Sequence, residues 1–288
     1  MKGIEVVNLS KSYGKLQVLD NISFDIDMGS IVALVGPNGS GKTTLLNIIS
    51  NLLNEDSGSV LITSQSNKDF NVYNTLSYMT DSSALYEELS AMDHLKYICN
   101  IRKLPKSRLL EAVNVLGIGS FLDKKVKGYS MGMKQQLLFT MGIISKPRVY
   151  ILDEPFNALD PSMVIKVRSE LKRMAQEGTC VLLSSHNLSE IDLLINDIIF
   201  LKDGKILRED ISKYFETMYC FKVSDVDKAK EAVLEYDYQI MNDEIWYPAG
   251  ADLSEFVQKV AAVTDILDIR KENHGAEKRY KEIYFDEV

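Results

Sequence analysis

The chain has 288 residues, 45% of them apolar, which suits one large α/β domain with a small second domain and excludes a disordered chain. The formal net charge of −8 argues against long-range attraction to nucleic acid or anionic lipid, although it does not exclude a local basic face. Three cysteines, Cys99, Cys180 and Cys220, lack metal-ligand spacing and indicate free thiols in a reducing compartment.

In chain order, the first predicted elements are two alternating segments, 1–14 and 17–30, which indicate antiparallel strands joined by a turn. The next segment, IVALVG at 31–36, is wholly apolar, as expected of a parallel strand that is buried on both faces. Buried strands then alternate with helices, which predicts a mostly parallel sheet covered by helices on both faces. These further elements are helices at 42–53, 90–101, 107–116, 162–177 and 188–194, strands at 57–62, 75–80, 149–155 and 179–186, and a hairpin at 197–207 that turns at Asp203 and Gly204.

The pattern changes near residue 212, where a second, smaller α+β domain is predicted to begin. Its order of strand, helix, two short strands, helix, strand and helix indicates a ferredoxin-like topology. The strands are predicted at 219–223, on either side of Asn242 and Asp243, and at 266–270, and the helices at 226–236, at 253–263 and from Ala276 onward.

Residues 36–43, GPNGSGKT, fit the phosphate-binding pattern G-x-x-x-x-G-K-[ST] between a buried strand and a helix. Glycines let successive backbone N–H groups face phosphate oxygens, and the helix N-terminus adds partial positive charge. Lys42 is expected to reach the β and γ phosphates, and Thr43 to bind Mg²⁺. The alternative, a chance glycine-rich turn, is disfavoured by the combined register of strand, loop and helix. The nucleotide-binding residues expected here are Gly36, Pro37, Asn38, Gly39, Ser40, Gly41, Lys42, Thr43 and Thr44.

Polar residues follow two further buried strands. Asp153 and Glu154 come after four apolar residues, at a carboxyl strand end, where ligands bind in open α/β sheets. Asp153 is expected to hold Mg²⁺ directly or through water, and Glu154 to orient and polarise the attacking water; the alternative is a solvated turn or a helix cap. His186 ends the next strand and is expected near the γ-phosphate, although a lone histidine is more often structural.

Residues 129–136, YSMGMKQQ, resemble the beginning of a helix, with Ser130 suited to the N-cap position. Gly132 in the first turn would weaken that helix unless something must approach its backbone closely. The residue pattern alone leaves open whether this is only a helix start or the approach of a ligand.

Together, these segments resemble the nucleotide-binding subunit of an ATP-binding cassette (ABC) transporter, over about residues 2–210 and in the order of that family. GPNGSGKTT resembles the Walker A motif, VYILDEP the Walker B motif and FNALD the D-loop, and YSMGM lies where the family carries its signature LSGGQ. The resemblance implies that Tyr13 stacks on adenine, that Glu154 is the catalytic carboxylate and that His186 is the switch histidine.

The resemblance also implies the fold and its division into domains. It predicts a P-loop ABC ATPase domain at 1–211, with a mostly parallel core sheet, an antiparallel β subdomain and a helical subdomain at about 82–145. Residues 212–288 are similar to the small C-terminal α+β domain of some exporter-type ATPases, for which a regulatory or dimer-supporting role is the simplest expectation.

Two positions depart from the family pattern. Asp81 stands where the family has a glutamine that touches Mg²⁺ and senses the membrane subunit. Asp81 is expected either to contact nucleotide and Mg²⁺ or to cap a turn, and the sequence does not decide between these. Met131 replaces the first glycine of the signature, while Ser130 and Gly132 are retained.

The mechanism implied by the resemblance is that of an ATPase with ATP and Mg²⁺ bound. Two chains, expected to be identical, would pair head to tail and enclose two nucleotides. Each ATP would lie between one chain's Walker A motif and the other chain's YSMGM, where Ser130 and the backbone near Gly132 face the γ-phosphate. Lys42 is expected to join Glu154 and His186 in the catalytic set.

The expected partner is a transmembrane permease subunit, contacted through residues 81–93, with no nucleic-acid partner. The chain has no run of about 20 apolar residues and no signal peptide, so the membrane span is expected from that other chain, at the cytoplasmic face. The expected function is to power an exporter of a drug, peptide or antimicrobial cargo. The alternatives are a soluble ATP switch of the same family, not coupled to transport, and a binding subunit without hydrolysis.

Overall fold

The structure, a computed structural model, describes residues 1–214, 216–241, 243–248 and 253–285. The chain divides into two units, Met1–Glu209 and Asp210–Val288. Among the described residues, no helix is both long and apolar enough to cross a lipid bilayer.

In the first unit, strands and helices follow in the order that the sequence predicts. The strands are β1 (Lys2–Tyr13), β2 (Leu16–Asp27), β3 (Ile31–Val35), β4 (Ser57–Ile62), β5 (Gln65–Ser66), β6 (Leu76–Met79), β7 (Val149–Leu152), β8 (Cys180–Ser184), β9 (Asp197–Lys202) and β10 (Lys205–Asp210). The helices are α1 (Lys42–Ile49), α2 (Ala91–Ile101), α3 (Lys106–Leu116), α4 (Met131–Ile143), α5 (Pro161–Gln176) and α6 (Leu188–Asp192), with short 3₁₀ turns between some of them.

The central sheet has the strand order β10-β9-β3-β8-β7-β6. The pairs of β3 with β8 and β9, and of β7 with β6 and β8, are parallel. Strands β7 and β8 are buried along their whole length, which explains why every residue of the two strands except Ser184, at the end of β8, is apolar or aromatic. Because these strands are parallel, the loops that follow β3, β6, β7 and β8 meet at one edge of the sheet.

The remainder of the first unit comprises an antiparallel sheet, in the order β2-β1-β4-β5, and helices α2 to α4. Local chemistry sets the helix ends. Ser90 and Asp93 form a reciprocal capping box at the start of α2, and Gly117 ends α3 at a φ of 74°. The sequence predicts that the first helix continues to residue 53, but α1 ends at Ile49. It ends early because Asn51 adopts a left-handed φ of 56°.

The second unit has four strands and three helices in its described residues: β11 (Glu216–Val223), α7 (Val226–Ala232), β12 (Gln239–Met241), β13 (Glu244–Pro248), α8 (Leu253–Val263), β14 (Ile266–His274) and α9 (Ala276–Tyr284). The antiparallel sheet order β12-β13-β11-β14 is the predicted ferredoxin-like one. Its core combines aliphatic and aromatic side chains, with Tyr247 stacked on Phe256 at 3.9 Å between ring centres. Asn242, one of the predicted turn residues, lies outside the described residues.

Candidate active site

The loop between β3 and α1 requires glycine at several positions. Gly39 and Gly41 have φ values of 82° and 105°, in the left-handed region that favours glycine. A Cβ on Gly41 would lie 2.6 Å from Val18 Cγ1, and one on Gly36 would lie 2.8 Å from the Leu201 carbonyl oxygen. Gly41 also occupies the N-cap of α1 and offers no side-chain cap, so the first backbone N–H groups of this helix suit an anion.

Lys42 begins α1 and folds back over the loop. Its ammonium group donates to the carbonyl oxygens of Gly36 at 2.7 Å and Pro37 at 3.1 Å, and the side chain is only 7% exposed. Burial lowers the pKa of Lys42, while the negative charges of Glu154 and Asp153 act to raise it. The ammonium therefore faces two carboxylates across the site.

Ser40 supplies a second indication that the loop suits a phosphate group. Its hydroxyl is buried and makes no hydrogen bond within the described part of the chain. A buried hydroxyl group normally makes a hydrogen bond. A hydroxyl without one in a glycine-rich loop is suited to donate to an anionic oxygen such as that of a phosphate group.

Asp153 follows β7 and is held by two hydroxyl groups. Thr43 Oγ1, from α1, donates to Asp153 Oδ2 at 2.8 Å, and Ser184 Oγ, from β8, donates to Oδ1 at 2.5 Å. A threonine hydroxyl beside a carboxylate supplies hard oxygen ligands, which Mg²⁺ prefers. The residues present therefore fit a magnesium ion at this position.

Glu154 and His186 contact each other across adjacent strand ends. His186 Nδ1 lies 2.9 Å from Glu154 Oε2, and the His186 backbone N–H donates to the same oxygen at 3.3 Å. Glu154 has a φ of 52°, an unusual left-handed conformation for a non-glycine residue. Residues that hold such strain tend to cluster at functional sites.

An open polar cleft of about 560 Å³ gathers most of the predicted site residues. Its lining consists of Tyr13, Val18, Asn38, Gly39, Gly41, Lys42, Thr43, Thr44, Asp81, Asp153, Glu154 and Asn157. The lining does not include Gly36, Pro37 or Ser40 of the same loop, nor His186, which contacts the cleft residue Glu154. Ser130 and Gly132 lie outside it as well.

Tyr13 and Asp81 stand at the rim of the cleft. The Tyr13 ring is half exposed, with Lys11 Nζ 5.8 Å from its centre, so one face of the ring is open to a planar group. Asp81 accepts the Ser83 N–H at 2.7 Å and caps a short 3₁₀ turn, and hydrogen bonds from Ser83 lower the pKa of Asp81. Asp81 thus caps a turn and lines the cleft at the same time.

The YSMGM segment begins α4 as its residue types predict. Ser130 is the N-cap, and its Oγ accepts the Met133 N–H at 3.2 Å. A Cβ on Gly132 would lie 2.7 Å from the carbonyl oxygen of Ala158 in the same chain. This contact alone accounts for a glycine at that position, whereas the approach of a γ-phosphate from a second chain stays a prediction. Met131 is 58% exposed, so its side chain is accommodated without packing cost.

Three residues near the site escaped the sequence analysis: Ser184, Gln135 and Asn157. Ser184 stands two positions before His186 at a strand end, and this was a usable signal. Gln135 Nε2 donates to the Glu154 carbonyl oxygen at 2.8 Å, a contact between segments that no local pattern reveals. Asn157 lies in FNALD and lines the cleft.

The family model described as ABC transporter matches residues 19–157. The lantibiotic transport ATP-binding protein SrtF of Streptococcus pyogenes is 36% identical over 208 residues, which cover 72% of this chain and 90% of that protein. The bacitracin transport ATP-binding protein BcrA of Enterococcus faecalis is 31% identical over 267 residues, which cover 90% of this chain and 86% of that protein.

Among solved structures, a dimeric bacterial ABC transporter cassette is 25% identical to this chain and superposes with a TM-score of 0.67. The match covers 72% of this chain and 98% of that cassette.

Proposed function

The chain belongs to the ABC transporter family as an ATP-binding subunit, and from this we propose that it hydrolyses MgATP to power an exporter whose membrane span is a separate permease chain. One observation carries the proposal: a single cleft brings together Lys42 and Thr43, at the start of α1, with Asp153 and Glu154, which follow β7. These groups suit the triphosphate, the metal and the attacking water.

The roles of the individual residues follow from their contacts. Lys42 lies over the loop where its ammonium neutralises phosphate charge, and the loop N–H groups hold phosphate oxygens. Thr43 and Asp153 would hold Mg²⁺, which when bound offsets charge on the phosphates. Tyr13 offers its open ring face to the adenine base.

Glu154 acts on the attacking water. One of its oxygens, Oε2, is occupied by the ring and the backbone N–H of His186, which fixes the direction of the carboxylate. Glu154 then orients and polarises water for in-line attack on the γ-phosphorus. The side chain of His186 is 58% exposed, and while Nδ1 contacts Glu154 its other ring nitrogen, Nε2, is proposed to face the γ-phosphate.

We infer that the working form is a head-to-tail pair of cassettes. The similar solved cassette is dimeric. In this chain Ser130 and Gly132 lie outside the cleft that Lys42, Asp153 and Glu154 line, as expected if they serve the nucleotide of a second chain. The first unit is the ATPase domain in this proposal, and the second unit is an accessory domain that supports or regulates the pair.

The permease is proposed to bind along residues 81–93. Tyr86 is exposed there, and Tyr97 and Ile101 project from the neighbouring helix α2 as exposed apolar side chains. Asp81 joins this surface to the cleft. The relatives named for lantibiotic and bacitracin transport favour a peptide antimicrobial as the cargo.

The test uses the purified chain together with the permease of its own transporter. We expect ATPase activity that Glu154→Gln abolishes while ATP binding persists, and Glu231→Gln, at an exposed acid of the second unit, to leave the rate unchanged. Absence of hydrolysis by the unaltered complex would contradict the proposal. Hydrolysis that the permease neither stimulates nor requires would point to a soluble ATP switch.

A further inference from the structure

Helix α4, which carries the YSMGM segment, packs on the backbone that contains Glu154 of its own chain. Gln135 Nε2 donates to the Glu154 carbonyl oxygen at 2.8 Å. One turn earlier on the same helix, the Gly132 backbone is so close to the Ala158 carbonyl oxygen that a Cβ would lie 2.7 Å from it. Helix α4 therefore contacts the segment 154–158 at its first residue, Glu154, and at its last, Ala158.

Both contacted residues are conformationally strained. Glu154 has a φ of 52° and Ala158 a φ of 60°, although neither is glycine. A left-handed conformation is unfavourable for a non-glycine residue and persists only where the surroundings hold it. Helix α4 meets the carbonyl group of each of these residues and so is placed to hold them.

Glu154 is secured on both sides of its Cα. Ser184 Oγ accepts its N–H at 3.0 Å, and Gln135 donates to its carbonyl oxygen, which also accepts the Asn157 N–H at 3.3 Å. With both peptide groups fixed, the Cα–Cβ bond of Glu154 has a fixed direction, and the carboxylate points toward His186 and the cleft.

We propose that Gln135 is a positioning residue that acts within its own chain, holding Glu154 in the conformation from which its carboxylate orients the attacking water. The inference rests on the proposed function of Glu154. It gives α4 two duties in a head-to-tail pair: its first turn faces the partner's nucleotide, and Gln135 sets the carboxylate that acts on the nucleotide of its own chain.

The first test removes the hydrogen bond and keeps the shape of the side chain. Gln135→Met is expected to lower kcat by about three- to tenfold, with KM for ATP changed less than about twofold, because one hydrogen bond to the backbone is lost. Gln136→Met, the same change at the next position, is the matched control and should behave as the unaltered protein. Gln135→Lys, which restores an N–H donor, should recover part of kcat. Equal rates for Gln135→Met and Gln136→Met would overturn the proposal.

Two mixed dimers distinguish action within the chain from action across the pair. When Gln135→Met and Glu154→Gln are on the same chain, the one active Glu154 belongs to the unaltered chain, and we expect the rate of a dimer that carries Glu154→Gln alone. When the two changes are on opposite chains, we expect the rate to fall further, as in the single variant. The reverse pattern would show that Gln135 acts on the partner's site and would overturn the proposal.

A readout without nucleotide separates failure of this inference from failure of the proposed function. Amide hydrogen exchange across residues 153–160 is expected to be faster in Gln135→Met than in Gln136→Met, because the Glu154 carbonyl loses a partner. Unchanged exchange contradicts the inference even if hydrolysis depends on Glu154. Faster exchange in a protein that does not hydrolyse ATP contradicts only the proposed function.

Discussion

The hydroxyl group of Ser184 contacts both acidic residues of the site, the side chain of Asp153 and the backbone of Glu154. It donates to Asp153 and accepts the Glu154 N–H, and it is fully buried at the end of β8. Its neighbour Ser185 is buried to a similar degree, but its hydroxyl only accepts the Asn187 N–H. Ser184 therefore contacts Asp153 and Glu154, whereas the Ser185 hydroxyl supports the start of the helix that follows.

Ser184→Ala is therefore expected to lower kcat at least tenfold and to reduce the free energy of unfolding by about 1–3 kcal/mol, since the Asp153 carboxylate loses one of its two hydroxyl donors and the Glu154 N–H loses its acceptor. Ser185→Ala, the matched control, should retain most of the activity because it leaves Asp153 and Glu154 untouched. Steady-state ATPase assays and urea unfolding of both variants check this. Equal losses in the two variants would show that Ser184 has no special role.

A substitution at Gly132 distinguishes two explanations for the glycine: the close approach of Ala158 in the same chain, and the approach of a second chain's γ-phosphate. In Gly132→Ala the new methyl group would meet the Ala158 carbonyl, a backbone atom that cannot move aside cheaply. We expect the nucleotide-free protein to lose about 1–3 kcal/mol of stability by urea unfolding, as in other overpacked sites. ATP binding should persist while hydrolysis falls. If the nucleotide-free variant is as stable as the unaltered protein, Ala158 does not explain the glycine, and the approach of a second chain's γ-phosphate becomes the better account.

At the scale of single elements, the segment before α2 is held to the helix by a buried histidine. His94 Nε2 accepts the Tyr86 N–H at 3.0 Å, and its Nδ1 lies 2.7 Å from the Ser90 carbonyl oxygen. Because a backbone N–H donates, Nε2 is the acceptor in the contact with Tyr86, and Nδ1 is the ring nitrogen that meets the Ser90 carbonyl oxygen. Glu87 and Glu88 fasten the same segment through ion pairs with Lys134 of α4 and with lysines 125 and 127.

His94→Phe keeps a ring in place but leaves the Tyr86 N–H without its acceptor. We expect a loss of about 1–3 kcal/mol in urea unfolding and faster exchange of the Tyr86 amide. Since this segment is the proposed permease contact, stimulation of ATPase activity by the permease should fall more than the basal rate. Lys96→Gln, on the same helix, is the control and should change neither quantity. A similar result for both variants would contradict this account of His94.

The elements themselves were largely readable from the sequence, because each has a local signal. Apolar runs marked β3, β7 and β8, and Asp203-Gly204 marked the turn between β9 and β10, where both residues adopt positive φ. The meeting of Lys42, Asp153 and Glu154 followed from parallel strands that end at one edge. Two contacts could not be predicted: the hydrogen bond from Gln135 to Glu154, and the close approach of Ala158 to Gly132. Both depend on the left-handed backbone conformation of Glu154 and Ala158 and on packing between segments distant in sequence.

At the scale of the whole molecule, each unit has a buried thiol whose reaction with an alkylating reagent can measure the unfolding of that unit. Cys180 is fully buried in the core sheet of the first unit, and Cys220 is almost fully buried in the sheet of the second unit. Burial, with a smaller contribution from Asp27, raises the pKa of Cys180 to about 12. A thiol with a raised folded-state pKa contributes stability below its ordinary pKa of 9.0, and this contribution is lost as pH rises toward 12.

Because the thiolate is the reactive form, native Cys180 should resist alkylation by iodoacetamide at pH 8 and react only when the first unit unfolds. Under the proposed function MgATP binds the folded first unit, so a concentration of 100 times its Kd should stabilise that unit by about 2.7 kcal/mol and move Cys180 alkylation to higher urea. Mass spectrometry of the alkylated peptides measures this. In Lys42→Ala, which should bind the phosphates weakly, the shift should largely disappear. Rapid alkylation of Cys180 in the native protein, or a midpoint that MgATP does not move, would contradict the prediction.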